Sequence, residues 1–214
     1  MARQYSKTAR VQRTIVDACV TAFGESGFHG ATMADIARRA GIRHTGLLHH
    51  FPRKEDLLTA VLDLQDERAE DYLAEHDARS LDADPVEVLR GLVAVLSERN
   101  RAVGLVELSA VLTGEATATT HPAHAYFTRR YDQNRRFLGR LFADLRGQNR
   151  LASALPAELL AATTIAVLDG LHTQWLYERE TIDVDAIIQA HLASIVPEMA
   201  PPARHVEDAG PASD

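Results

Sequence analysis

Cysteine, tryptophan and long hydrophobic runs are scarce in this chain. It holds one Cys, one Trp and three Met among 214 residues. The single Cys19 excludes an intrachain disulfide, and its place in an apolar helical stripe predicts a buried thiol and a reducing, cytoplasmic setting. No apolar run approaches the roughly 20 residues of a membrane span. The segment Met1-Ala-Arg-Gln-Tyr-Ser-Lys7 has no apolar stretch of the kind a secretory signal needs. Strand signals are sparse, and no internal repeat stands out. There is no GxSxG, P-loop or HExxH pattern, so the short signatures of serine hydrolases, NTPases and zinc proteases are missing. Positive charge is also in deficit overall, with a net charge of −7. A uniformly basic nucleic-acid binder is therefore excluded.

The charge is split along the chain. Residues 1–56 carry nine Lys/Arg against five Asp/Glu, a balance of +4; residues 57–214 carry fourteen against twenty-five, a balance of −11. Phosphate attraction is local, because screening at physiological salt acts over roughly 8 Å. A basic end on an acidic body remains compatible with DNA.

Helical periodicity runs from end to end. Val11, Ile15, Cys19 and Ala22/Phe23 form one amphipathic stripe over 8–25, which Gly24, Gly27 and Gly30 end. Thr32 with Asp35 opens a second helix in the manner of a capping box, and its apolar side is Met33, Ile36, Ala37 and Ala40. Gly41 makes a turn. A third short helix carries Leu47 and reaches Phe51. Pro52 suits the first position of a fourth, with Glu55 and Asp56 in its first turn, running to about His76. After a loop around 80–85, further helices are predicted from Val86, over Val103–Leu112, over Phe127–Leu145, over 156–178 and from Val184 to Ile195. Gly114–Thr120 is a polar break. The reading is an all-α protein: a three-helix helix-turn-helix head (1–51), a larger helical-bundle body for effector binding and dimerisation (52–198), and a tail (199–214) predicted to be disordered.

Two short helices around a Gly turn form the DNA-reading unit of helix-turn-helix proteins. On this reading Arg43, His44, Thr45 and Gly46 face base edges. Arg reads guanine in bidentate fashion, Thr hydrogen-bonds or meets a thymine methyl, and Gly allows close approach. Thr32, His49, His50, Lys54 and Lys7 are assigned to phosphates. Arg3, Lys7 and Arg10 form a candidate arm along the backbone or minor groove. The competing reading is a plain three-helix packing unit with Arg38, Arg39 and Arg43 as a solvated face.

The pattern Thr32-x-x-x-Ile36-Ala37-x-x-Ala40-Gly41-Ile42…Leu47-x-His49-x-Phe51-x-x-Lys54-Glu55-x-Leu57 resembles the N-terminal domain of TetR-family transcriptional regulators. Phe23-x-x-x-Gly27-Phe28-x-x-Ala31-Thr32 fits the same family's lead-in. Leu168-Asp169-Gly170-Leu171-x-x-Gln174-Trp175-Leu176 resembles the C-terminal domain of its BetI-like branch. The resemblance implies a dimer built on the two C-terminal helices, and a body pocket whose small effector weakens DNA binding. Three positions depart from the family pattern. Arg43 replaces a common capping Ser, Thr45-Gly46 replaces Gly-Thr or Gly-Ala, and Leu48 replaces a Tyr that meets phosphate. No phosphate role is carried to Leu48.

Ten histidines raise the question of a metal. His49 and His50 are adjacent and His44 is off their face. His121-Pro-Ala-His124 offers two ligands at i, i+3 with no evident third. The histidines are read as solvated, with no metal and no cofactor.

In the body, Ala162, Ala166, Gly170 and Thr173 form a ridge of small residues that admits another helix. With Ile188 and Leu192 of the last helix they make the expected homodimer interface; the competing reading is that both faces are used up inside one chain. Glu107, Tyr126, Asn134, His172 and Trp175 are polar or amphipathic groups in apolar stripes, and are the candidate effector pocket. A carboxylate with Trp175 and Tyr126 would suit a cation; otherwise such groups satisfy one another, for instance His172 with Glu107. The expectation is a cytoplasmic, homodimeric repressor that doubles on a palindromic double-stranded DNA operator and is released by a small molecule, with no membrane partner. The alternatives are a metal-dependent helical enzyme and a helical module that binds only protein.

Overall fold

The computed structural model describes residues 2–75, 83–100 and 102–201, and their side chains except at 2–7, 69, 72, 73, 75, 99 and 100. The tail assignment beyond Pro201 and the side chains of Arg3 and Lys7 lie outside the described residues. Among those residues there are nine α-helices and no strand. They are α1 (Ala2–Gly30), α2 (Met33–Arg39), α3 (His44–His50), α4 (Lys54–Glu75), α5 (Pro85–Asn100), α6 (Val103–Glu115), α7 (His124–Gly147), α8 (Ala157–Tyr177) and α9 (Val184–Ile195), followed by a 3-10 turn, Pro197–Met199. No described helix is long and apolar enough to cross a membrane.

Side-chain caps set four of the nine described helix starts. The Thr32 hydroxyl accepts the Asp35 amide at 3.2 Å and caps α2. Asp84 accepts the Val86 amide at 2.8 Å at the head of α5, and Asp183 accepts the Ala186 amide at 2.9 Å at the head of α9. The sequence places Pro52 inside α4, but the helix starts two residues later. Asp56 folds back to accept the Arg53 amide at 3.0 Å, so the capping carboxylate rather than the proline marks the boundary. The Gly24 end expected for the first helix is also displaced. α1 continues through Gly24, which sits where the backbone of α6 passes close, and breaks instead at Gly27, with φ 70°.

Two hydrophobic cores result. The first joins α1–α4 to α6 and the start of α7 around Ile15, Cys19, Phe23, Ile36, Leu47, Leu57 and Leu108. Cys19 is fully buried there, and burial pushes its thiol well above the ordinary range. The second core joins α5, the far half of α7, α8, α9 and the 3-10 turn around Leu89, Phe142, Leu145, Leu160, Ile188 and Val196. α1 lies along α6, and α7 lies along α8. α4 and α6 therefore belong to the core of the head and also border the body.

Candidate nucleic-acid interface and interior cavity

The turn between α2 and α3 is built on Gly41, whose φ of 67° is the left-handed conformation that glycine adopts without strain. Ile36, Ala37 and Leu47 are buried and lock the two helices together, so α3 presents its other side outward. Arg43, His44, Thr45 and His49 are exposed; Gly46 and His50 are half-buried. Arg43 occupies the N-cap position of α3 and makes no side-chain cap, so its guanidinium is not spent on the helix end. Gly46 and Leu47 donate to the Arg43 carbonyl at 2.9 and 3.1 Å. Arg10 is also exposed.

Neighbouring cations are already committed. Asp35 pairs with Arg38 and, at 2.6 Å, with Arg39, and Arg39 also reaches Glu25 at 2.6 Å. These guanidiniums, Arg38 first, hold the Asp35 carboxyl below the usual carboxylate range. Arg53 pairs with Asp56 at 2.7 Å. The Lys54 ammonium turns inward: it donates to the Ala31 carbonyl at 3.1 Å and the His29 carbonyl at 3.5 Å, and lies 4.6 Å from the centre of the Phe28 ring. Lys54 thereby closes the end of α1. Thr32 is exposed, with its oxygen serving as the α2 cap.

Between the two cores lies a cavity of about 270 Å³. Its walls are mostly apolar, from Leu89, Leu92 and Val93 of α5 to Phe127 and Phe137 of α7, Leu168 of α8, and Ile188 and Leu192 of α9. Polar groups meet it at defined points. Gln65 of α4 donates to the Ser109 hydroxyl of α6 at 3.2 Å. Tyr131 of α7 donates to Asp169 of α8 at 2.7 Å, and burial, with Asp169 beside it, pushes its phenol up to about 12. Arg130 lines the wall while bound to Asp66 at 2.9 Å.

Of the expected pocket residues, Asn134 and His172 line this cavity. The other three do not. Glu107 pairs with Arg179, 72 residues away in sequence. Trp175 carries the Arg179 guanidinium 5.4 Å from its ring centre at a separate surface hollow. Tyr126 points to Asp66 at 2.6 Å on the α4 side, and burial pushes its phenol up to about 12. The cation box assembled from Trp175, Tyr126 and a carboxylate therefore does not form. Gln65, Ser109, Tyr131 and Thr164 were missed. Each interrupts an apolar helical stripe, which is the signal that would have found them.

The expected dimer residues also divide. Ala166 and Thr173 are exposed, and Ala162 and Gly170 half-buried, along one side of α8. Leu155, Leu159 and Tyr177 extend that strip, at 49%, 52% and 87% exposure, and Ile187 of α9 adds 39%. Ile188 and Leu192 are buried and line the cavity, so they face their own chain. His121, read as solvated, is buried. Its Nδ1 accepts the Ala123 amide at 3.1 Å, while His124 shares a 2.7 Å hydrogen bond with the Ala116 carbonyl. No group of His, Cys, Asp and Glu suited to a metal ion occurs among the described residues.

Family comparison agrees with this geometry in both halves. Residues 15–61 match the model of bacterial regulatory proteins of the tetR family, and residues 85–197 match that of the BetI-type transcriptional repressor C-terminal domain. The chain belongs to the TetR family. It is a transcriptional regulator by family and not an enzyme. It is similar to the transcriptional regulator TtgR of Pseudomonas putida, with 29% identity over 86% of this chain and 89% of that one. In fold it is similar to the SmeT–triclosan complex, with a TM-score of 0.70, 18% identity and 91% and 96% of the two chains covered. It is likewise similar to a regulator from Saccharomonospora viridis in complex with choline, with a TM-score of 0.68, 23% identity and 88% and 98% covered.

Proposed function

We propose that this TetR-family protein is a homodimeric repressor that reads a palindromic operator in the cytoplasm and leaves it when a small organic molecule enters the cavity. The observation that carries the reading is the double membership of α4 and α6. They pack in the core of the head, and Gln65, Ser109 and Thr113 on them also line the cavity. A ligand that prefers a shifted α4 and α6 changes the head by that preference and by no more. The complexes of two structural neighbours with triclosan and with choline support an effector of this size class.

Arg43, His44, Thr45 and Gly46 are assigned to bases, and Thr32, His49, His50 and Lys7 to phosphates. Dimerisation uses the outer strip of α8, which sets two α3 helices about one DNA turn (~34 Å) apart and combines two weak half-sites. Selection of bound sequences from random DNA by the full-length chain tests the reading. Two inverted half-sites separated by about one turn are expected, whereas a pool with no common site overturns it. A thermal-shift screen then identifies the effector, which must also weaken binding to the selected site.

A further inference from the structure

α1 breaks its helical course at Gly27, with φ 70° and ψ 177°. Just past the break, the Phe28 amide donates to Oε2 of Glu115 at 2.6 Å, across 87 residues of sequence. A β-carbon on Gly27 would run into the same carboxylate. Glu115 is the last residue of α6, the helix whose Leu105, Ser109 and Thr113 line the cavity. From the other side, Lys54 at the start of α4 holds the carbonyls of His29 and Ala31. Residues 27–32, which lead into the cap of α2, are thus gripped at one end by an α6 carboxylate and at the other by an α4 ammonium.

The grip is half-buried, with His121 on its inner side and 26% of the Glu115 side chain still exposed. His121 is buried, its Nε2 sits 3.6 Å from the bonded Glu115 oxygen, and its ring packs edge-on against Phe28 and His29 at 5.2 and 5.3 Å. A charge-assisted hydrogen bond is directional and stronger than a neutral one.

We propose that Glu115 is the positioning residue through which α6 sets the orientation of the helix-turn-helix. A shift of α6 caused from the cavity moves the Phe28 amide, and with it Thr32 and α2. This path bypasses α4. The inference rests on the proposed function only in taking α6 as the wall that a ligand moves.

The test uses the full-length chain and bulk added to the cavity in place of an unidentified ligand. Ser109→Phe perturbs α6 from inside, and amide hydrogen exchange reports residues 28–39. Exchange there is expected to rise about tenfold, the size that loss of one charge-assisted bond gives. Glu115→Ala alone is expected to raise exchange at Phe28 by a similar factor, and adding Ser109→Phe to it then changes the head by less than about twofold. Glu115→Gln, which keeps an acceptor oxygen, restores the response to Ser109→Phe. A head that ignores Ser109→Phe, or that responds equally with and without Glu115, overturns the proposal. If Ser109→Phe does not fold, Thr113→Leu supplies a smaller perturbation from the same wall. None of these readouts needs DNA, so a failed operator selection sinks the repressor reading and leaves this result standing.

Discussion

Arg43 occupies a position where a side-chain oxygen would stabilise the end of α3, and it supplies none. Arg43→Ser is expected to stabilise the head by about 1 kcal/mol and to weaken operator binding; thermal melts and titrations with the selected site check the two signs separately. Thr45→Ala is expected to change base preference by about 1–3 kcal/mol at one position while leaving the salt dependence alone. Lys54→Ala behaves differently. Its ammonium closes the end of α1, so the expected loss is about 1–2 kcal/mol of stability with an unchanged salt slope; a slope reduced by about one would return Lys54 to the phosphates. His121 gives a pH dependence. Burial, the largest effect, lowers its pKa, opposed by Glu115 and reinforced by His29. The folded protein therefore binds this proton less readily than the unfolded chain, and its stability falls as pH drops below about 6.5. A second cost accompanies that proton, because it would occupy the Nδ1 that accepts the Ala123 amide. Asn or Gln at 121 should remove this part of the pH dependence and leave that of His191, whose pKa burial also lowers, as followed by denaturant titration.

Helices were legible in the sequence where their signals are local. Thr32 and Asp35 announce α2, Gly41 announces the turn, and the positive φ confirms why glycine stands there. Gly41→Ala should cost about 1–2 kcal/mol from backbone strain alone, since nothing lies within 4 Å of the added methyl; a neutral melt would show that the turn relaxes. Contacts between helices were much less legible. Glu107 meets Arg179, and Tyr126 meets Asp66, across 72 and 60 residues. Periodicity states that a residue shares a stripe with its neighbours, but not which other helix the stripe will face. Ile188 and Leu192 show the same limit: their 3–4 spacing serves an interior wall as well as it serves a partner subunit. In the head the short helices α2 and α3 and the Gly41 turn were legible, but the packing of α1 along α6 was not; the cavity, assembled from six helices, was read in two residues of five.

At the scale of the whole molecule, the outer strip of α8 holds Leu159 and Tyr177 largely in solvent. Leu159→Glu is expected to leave the monomer fold intact, convert a dimer to a monomer in sedimentation velocity, and lower operator affinity by about a hundredfold or more. An unchanged sedimentation coefficient would move the interface elsewhere. The two cores carry a separate consequence. Apolar packing is continuous within each and is parted by the cavity between them. Heat should therefore melt this chain in two steps, with the van't Hoff enthalpy smaller than the calorimetric one. A molecule that wedges both halves together would fuse the steps into a single sharp endotherm, making cooperativity itself the signature of the inducer.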